Sequence, residues 1–157
     1  MKILLYSVGK PHDTYAKQGI EAFTNRLEKY FPTEWKIIPP PKNAGALNEP
    51  ELKKQEAKLI LAQINTDDFL VLLDERGKQL SSPQLANFIQ QRANESTKTI
   101  VFLIGGAFGV EGSVFERANF TWSLSPLVFP HMLVRLILSE QLYRACTILR
   151  GEKYHHC

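Results

Sequence analysis

A cluster of glycines gives the sequence its first candidate ligand site. Four of the eight residues from Gly105 to Gly112 are glycine, and they directly follow the apolar run TIVFLI. Because glycine has no side chain, such a loop turns sharply and lets the backbone approach a ligand closely. No Gly-Lys-Ser/Thr follows, which excludes a Walker loop, and the Gly-Gly-x-x-Gly spacing does not match the dinucleotide fingerprint. The loop predicts a ligand contact, and an ordinary tight turn with positive φ is the alternative.

A second candidate is the segment Ser125–His131, in which two prolines flank three apolar residues. Pro126 and Pro130 each fix φ and lack an N–H, so the segment is neither an ordinary helix nor a central strand. Its backbone polar groups must find partners elsewhere. An extended segment with apolar side chains and free backbone groups suits a planar heteroaromatic ligand. The alternative is a crossover loop that packs on protein alone.

The third candidate is the C-terminal tail, where basic and aromatic residues gather. Three of the four histidines lie in the last 27 residues. With them stand further basic and aromatic residues: Arg135, Arg144, Arg150, Lys153, Tyr143 and Tyr154. Only Glu140 and Glu152 oppose this charge. Such a mixture is typical of a nucleic-acid contact, and a solvated, frayed terminus is the alternative.

Helical spacing assigns positions to several of these side chains. Glu140 and Arg144 are four residues apart and can pair on one helix face. Arg135 and Arg144 are nine apart, about 900° of rotation, so they leave opposite sides of the helix. One is expected to face a site, the other a partner chain or Glu140. His131 lies near the helix start, where the dipole disfavours the imidazolium; the neutral ring is a candidate base or hydrogen-bond donor, with a helix-start cap as the alternative.

The elements that position these candidates follow an alternating pattern. Five runs read as strands: Lys2–Val8, Trp35–Ile38, Phe69–Asp74, Thr99–Ile104 and Thr121–Ser125. Helical patterns separate or follow them: Thr14–Tyr30, Glu49–Ile64, a helix capped by Ser82 before Pro83, Ser113–Ala118 and Met132–Leu149, which is followed by Gly151 as a C-terminal cap. The alternation predicts an α/β fold with a mostly parallel sheet and helices on both faces.

Two details of the helices carry further predictions. In the second helix, Lys53, Lys54 and Glu56 are expected to point outward. The last helix is apolar over too wide an arc for a single core-facing stripe, so part of it is expected to be buried against a second chain. The candidate contacts are Leu133, Ile137 and Tyr143.

Composition excludes disordered, collagen-like and low-complexity proteins. The chain has 157 residues, 44% of them apolar and 22% charged, which predicts one globular domain over residues 1–157. The net charge of +3 is too small by itself to indicate nucleic acid. Two cysteines make neither a disulfide framework nor a metal-ligand spacing. The N-terminal apolar run is too short for a signal peptide, and charges interrupt the longest apolar stretch, so we expect a cytoplasmic protein with no membrane span.

Taken in order, the motifs resemble one family over the whole chain. They are Leu-Leu-Asp-Glu-x-Gly-Lys (Leu72–Lys78), Ile-Gly-Gly-x-x-Gly (Ile104–Gly109), Leu-Ser-x-x-x-Phe-Pro-His (Leu124–His131), Glu-Gln-x-Tyr-Arg-Ala (Glu140–Ala145) and Arg-Gly-Glu-x-Tyr-His (Arg150–His155). The chain resembles the bacterial ribosomal RNA large subunit methyltransferase H family, of the SPOUT class. The resemblance implies a C-terminal trefoil knot, a homodimer and S-adenosylmethionine as methyl donor, with no metal. It implies methylation of N3 of a pseudouridine in 23S rRNA on the ribosome.

The resemblance also implies site residues. The cofactor-binding positions are Leu73, Gly105, Leu124, Ser125, Pro126, Leu127, Val128 and Phe129. Members of the family often have threonine where this chain has Val128, so a side-chain hydrogen bond at that point is absent. Candidates for orienting or deprotonating the base are His131, Arg144, Tyr154 and His155, with their individual roles open.

Two other functions compete with this interpretation. The first is a knotted ribosome-assembly factor that binds RNA or S-adenosylmethionine without turnover. The second is a small-molecule hydrolase, which lacks support because the sequence contains no Gly-x-Ser-x-Gly elbow.

Overall fold

A single parallel sheet organises the chain. The computed structural model describes residues 1–156; Cys157, to which the sequence assigns no role, lies outside the described residues. The strands are β1 (Lys2–Val8), β2 (Thr33–Ile38), β3 (Phe69–Gln79), β4 (Thr99–Ile104) and β5 (Phe120–Ser123). They pair in parallel in the order β2-β1-β4-β3-β5. The predicted α/β fold with a parallel sheet is confirmed.

Helices cover both faces of the sheet, as predicted. They are α1 (Thr14–Leu27), α2 (Glu49–Leu61), α3 (Ser82–Asn94), α4 (Gly112–Arg117) and α5 (His131–Leu149), and a short 3-10 helix (Ala44–Ala46) precedes α2. Side chains alternate across a strand. Ile100 and Phe102 of β4 therefore pack with α1, α3 and α5, whereas Val101 and Leu103 pack with α2 and α4.

The third strand extends further than the sequence indicates. It runs through Gln79 instead of ending at Asp74, and its pairing with β5 shifts register between Leu73 and Lys78. A Cβ on Gly77 would lie 2.6 Å from the Thr121 carbonyl carbon, so the close approach of β5 requires glycine there. The sequence underestimates the length of β3 because the residues after Asp74 no longer alternate between apolar and polar side chains.

Other boundaries differ by a few residues. The second strand begins at Thr33, two residues earlier than predicted, and β5 ends at Ser123, which leaves Leu124 and Ser125 in a loop. The first two helices end three residues before their predicted ends, and α5 begins at His131. Gly151 adopts φ +67°, as expected of a residue that follows a helix.

Two side-chain assignments are wrong. Ser81, rather than Ser82, caps α3: its hydroxyl accepts from the Gln84 backbone N–H, and the Gln84 side chain accepts from the Ser81 N–H. Glu56 does not point outward, because it is only 6% exposed. It shares the inner face of α2 with Ala57 and Ile60.

Candidate functional site

Two of the three sequence candidates, the glycine loop and the Ser125–His131 segment, meet at a cavity beyond the carboxyl ends of β4 and β5, beside residues 73–76 of β3. The cavity has a volume of about 580 Å³, within the usual range for small-molecule sites. Seven of the eight predicted cofactor positions line it: Leu73, Gly105, Leu124, Ser125, Leu127, Val128 and Phe129. Pro126 belongs to the same segment but does not line the cavity. The sheet therefore brings the predicted positions together, and their role stays a prediction.

The glycine loop forms one wall by close approach. A Cβ on Gly105 would lie 2.6 Å from Val110 Cγ1, and one on Gly106 would lie 2.5 Å from Glu56 Oε1. Gly109 adopts φ +83°, and its N–H donates to the Gly106 carbonyl at 3.1 Å. The tight turn and the close approach are thus both present, at different glycines.

The segment after β5 forms the opposite wall. The Leu127 N–H donates to Ser125 Oγ at 3.0 Å, and Ser123 Oγ donates to the Ser125 carbonyl at 3.1 Å. Leu127 is 69% exposed and Val128 is 81% exposed. Together with exposed Phe108 on the glycine loop, these side chains offer apolar surface that a bound ring would cover.

Charged groups mark the β3 side of the cavity, where Asp74, Glu75, Arg76 and Lys53 lie. Arg76 Nε donates to Asp74 Oδ1 at 2.9 Å, and the Arg76 backbone N–H donates to the same oxygen. Burial by itself raises the pKa of Asp74, but the hydrogen bonds and charge of Arg76 outweigh it and leave the pKa below its usual value. The rim therefore presents an ionised carboxylate at neutral pH.

His131, the first residue of α5, lines the cavity as a neutral imidazole. Burial is the main cause of its lowered pKa, and the charge of Arg135 adds to it, while a hydrogen bond with the Gly106 backbone opposes the shift. The direction agrees with the expectation from the helix start. The leading cause is burial, which the sequence did not indicate.

Arg135 is a buried cation that ties α5 to the first strand. It is 1% exposed, its Nε donates to Ser7 Oγ at 3.0 Å, and its Nη1 donates to His12 Nδ1 at 3.2 Å. The His12 ring packs edge-on against Trp35 with centroids 5.1 Å apart. Sequence reasoning singled out Arg135 but missed Ser7 and His12; a serine in an otherwise apolar strand was the available signal.

The other predicted catalytic residues lie together at the carboxyl end of α5. Arg144 pairs with Glu140 at 3.1 Å, as the four-residue spacing predicts, and its Nη1 donates to His155 Nδ1 at 3.2 Å. The Tyr154 hydroxyl donates to Glu140 Oε2 at 2.9 Å, and the Arg144 guanidinium lies 4.7 Å from the Tyr154 ring centroid. Burial first, and then the hydrogen bond to Glu140, raises the pKa of Tyr154. The tail is folded onto α5 rather than frayed.

One chain does not bring all four predicted catalytic residues to one place. His131 and Arg144 are thirteen residues apart on one helix, which at 1.5 Å per residue separates them by roughly 20 Å along its axis. Tyr143, a predicted dimer contact, packs against Phe23 and Tyr30 of its own chain, with ring centroids 6.1 and 6.3 Å away. Leu133 and Ile137 remain half-buried and available for a second chain.

Residues 1–156 contain neither a candidate metal site nor a helix suited to crossing a membrane. No group of three or more His, Cys, Asp or Glu side chains within these residues is placed to hold a metal ion. Within the same residues, no helix has the length and apolar character needed to cross a membrane.

Comparison with known proteins identifies the family. Residues 1–155 match the family model described as "Predicted SPOUT methyltransferase". The chain is 46% identical over 156 residues to "Ribosomal RNA large subunit methyltransferase H" of Cytophaga hutchinsonii, covering 99% of this chain and 100% of that protein. It is 43% identical to the protein of that name in Christiangramia forsetii, covering 99% of each.

Solved structures agree on the fold. A probable methyltransferase from Bordetella pertussis Tohama I matches with a TM-score of 0.55 at 10% identity, over 92% of this chain and 95% of that one. A probable methylase family protein from Haemophilus influenzae Rd KW20 matches with a TM-score of 0.53 at 11% identity, over 99% and 70%. With a family model that covers almost the whole sequence and curated relatives of matching length, the chain belongs to the SPOUT methyltransferase family.

Proposed function

We propose that this protein transfers a methyl group from S-adenosylmethionine to N3 of a pseudouridine in large-subunit (23S) rRNA on the ribosome. The observation that carries the proposal is the cavity at the strand ends, which residues of both the glycine loop and the Ser125–His131 segment line. The relatives with 36–46% identity bear the name of a large-subunit rRNA methyltransferase, which supports the substrate class. A ribosomal substrate implies a cytoplasmic protein.

The residues of the cavity fit the proposed cofactor. Apolar side chains at Leu127, Val128 and Phe129 suit the faces of an adenine ring, and Gly105 and Gly106 line the same cavity with backbone that the rest of the nucleoside can approach. Val128 offers no hydroxyl, so adenine recognition falls to backbone groups of the segment. When bound, S-adenosylmethionine supplies an electrophilic methyl group, so the protein has to position the base and manage its proton.

Proton removal from the base is assigned to His131. Its pKa is lowered by burial and by Arg135, so the ring is neutral at pH 7 and can accept the N3 proton. The nitrogen lone pair then forms the new N–CH₃ bond, and the electron pair of the broken C–S bond stays on sulfur. We assign to Arg144 the stabilisation of the anionic base, and to Tyr154 and His155 stacking on it.

A homodimer, with a trefoil knot in the C-terminal part of each chain, completes the proposal. Because His131 and Arg144 are roughly 20 Å apart along α5, we propose that the tail of one protomer reaches the cavity of its partner. Half-buried Leu133 and Ile137 supply apolar surface for the contact. Sedimentation at micromolar concentration is expected to show a dimer, which Ile137→Glu dissociates with loss of methyl transfer; a stable wild-type monomer contradicts this arrangement.

The test of the activity is a single-turnover transfer from labelled S-adenosylmethionine to whole ribosomes that lack the modification. Digestion of the rRNA and mass spectrometry of its nucleosides are expected to place the label on a methylated pseudouridine. Label on another nucleoside contradicts the base assignment. Cofactor binding by calorimetry with no transfer to any ribosomal particle instead supports the alternative, a non-catalytic assembly factor.

A further inference from the structure

Glu56 places a buried carboxylate directly behind the glycine loop. It lies on α2 and is 6% exposed. A Cβ built on Gly106 would meet Glu56 Oε1 at 2.5 Å, Oε2 at 2.7 Å and Cδ at 2.9 Å. Both oxygens are therefore aimed at the α carbon of a residue that forms the cavity wall. A thin layer of loop backbone separates the carboxylate from whatever occupies the cavity.

Within residues 1–156 this carboxylate has no hydrogen-bond or ion-pair partner; the five ion pairs of that range involve other acids. Burial raises its pKa. Glu56 is 6% exposed, and a charge with so little access to water is unfavourable, so a helix that serves only the core gains from an apolar residue here. The position makes physical sense if a positive charge arrives on the other side of the loop.

The other charged groups at the cavity do not serve this purpose. The Asp74 carboxylate is already engaged by Arg76, and His131 is neutral. The Glu75 carboxylate also lines the cavity but is exposed, so water and salt screen its charge. Lys53, one turn before Glu56 on α2, is a cation and disfavours a second one. Glu56 is also the most deeply buried of the charged residues named here, and charge interactions are strongest where the effective dielectric constant is low.

We propose that Glu56 selects the charge of the cavity's occupant, favouring the cationic methyl donor over its neutral demethylated product. The inference rests on the proposed function. Transfer of the methyl group converts a sulfonium into an uncharged thioether, so the attraction exerted through the loop exists before the reaction and is absent after it. Glu56 is thus a specificity-determining residue that strengthens donor binding and assists product release, without touching either ligand.

The test compares two ligands in two variants. Calorimetry gives the dissociation constants of S-adenosylmethionine and S-adenosylhomocysteine, and hence the preference of each protein for the cation. Glu56→Gln is expected to reduce that preference about tenfold, equivalent to about 1.4 kcal/mol, mainly by raising the dissociation constant of S-adenosylmethionine. The control Glu51→Gln removes an exposed carboxylate from the same helix and is expected to leave the preference unchanged.

If Glu56→Gln does not fold, Glu56→Asp retains the charge but withdraws it by one methylene, and a preference reduced by roughly threefold is expected. An unchanged preference in the folded variant, with wild-type methyl transfer intact, overturns the charge selection and leaves the proposed function standing. Wild-type protein that binds neither ligand overturns both.

Discussion

The amino end of α5 meets a cavity walled mostly by backbone and apolar side chains, with charged groups along β3, whereas its carboxyl end meets a tail made of charged and aromatic side chains. At the cavity, His131 is uncharged and Asp74 is engaged by Arg76, while Lys53 and Glu75 also line the wall. At the tail, Arg144 is shared between Glu140, His155 and the Tyr154 ring, with a quarter of its side chain exposed. The first environment suits a compact nucleoside cofactor, and the second suits a base attached to a polyanion. Under the proposed function, α5 carries the groups that meet the methyl donor at one end and those that meet the base at the other, and keeps them apart within one chain.

Deleting residues 153–157 tests this division most severely. Within one chain none of residues 153–156 lines the cavity, so S-adenosylmethionine binding is expected to stay within twofold of wild type. Methylation of ribosomes is expected to fall ~100-fold, because loss of the stacking residues Tyr154 and His155 removes roughly 3 kcal/mol of interaction with the base. Calorimetry and single-turnover transfer measure the two quantities. If the truncated protein methylates ribosomes at the full rate, residues 153–157 take no part in the reaction and the residues at the cavity suffice.

The reverse experiment damages the cavity and spares the tail. In Gly105→Val, the first added carbon already lies 2.6 Å from Val110 Cγ1, so the loop or the Val110 side chain, both of which line the cavity, must move. Affinity for S-adenosylmethionine is expected to fall at least tenfold, or ~1.4 kcal/mol. Gly112→Ala is the matched control, because a Cβ there meets no atom of residues 1–156 within 4 Å. Normal S-adenosylmethionine binding by a folded Gly105→Val protein contradicts the proposal that the cofactor binds in this cavity.

A milder change separates the two contacts that Tyr154 makes in the tail. Tyr154→Phe keeps the ring beside Arg144 and removes the hydroxyl that donates to Glu140 at 2.9 Å. A single hydrogen bond contributes about 1 kcal/mol, so the transfer rate is expected to fall by roughly fivefold. Tyr154→Ala loses both contacts and is expected to approach the tail deletion. Equal rates for the Phe and Ala variants indicate that the ring contributes nothing.

The smallest expected effect is a pH dependence of stability that comes from the cavity end. His131 and His12 both have lowered pKa values, chiefly because of burial and then because of Arg135. Their contribution is fully present above the unfolded pKa of about 6.5 and is lost as the pH falls through the folded pKa, because the unfolded chain binds protons first. Urea unfolding between pH 7.5 and 5.5 is expected to show this decline, and His131→Asn to reduce its slope. A slope unchanged by that substitution assigns the decline to other groups.

Sequence patterns predicted the sheet and the candidate cavity better than they predicted its surroundings. Apolar runs and glycine spacing are local, and they suffice to position Gly105 after β4 and Leu124 after β5. Glu56 was assigned outward because a charged residue on a helix normally faces water; its burial depends on a loop fifty residues later. The requirement for glycine at position 77 likewise depends on the approach of β5, which no local pattern contains.

The tail shows the same limit in another form. The Glu140–Arg144 pair was predictable because both residues lie on one helix face. That Tyr154 and His155 fold back onto this pair depends on the turn after α5, where Gly151 has φ +67°. The sequence indicated that glycine as a cap but left open whether the residues beyond it make contacts.

The contact between Arg135 and Ser7 can form only late in the synthesis of the chain. Ser7 precedes Arg135 by 128 residues, so a growing chain contains the first half of this contact long before the second. Until α5 is synthesised, the strands lack both the buried cation and the histidine that closes the cavity. Contacts between such distant parts of a sequence form late in folding, since a large loop must close first. The proposed affinity for S-adenosylmethionine at the strand ends therefore depends on the late packing of α5 against β1.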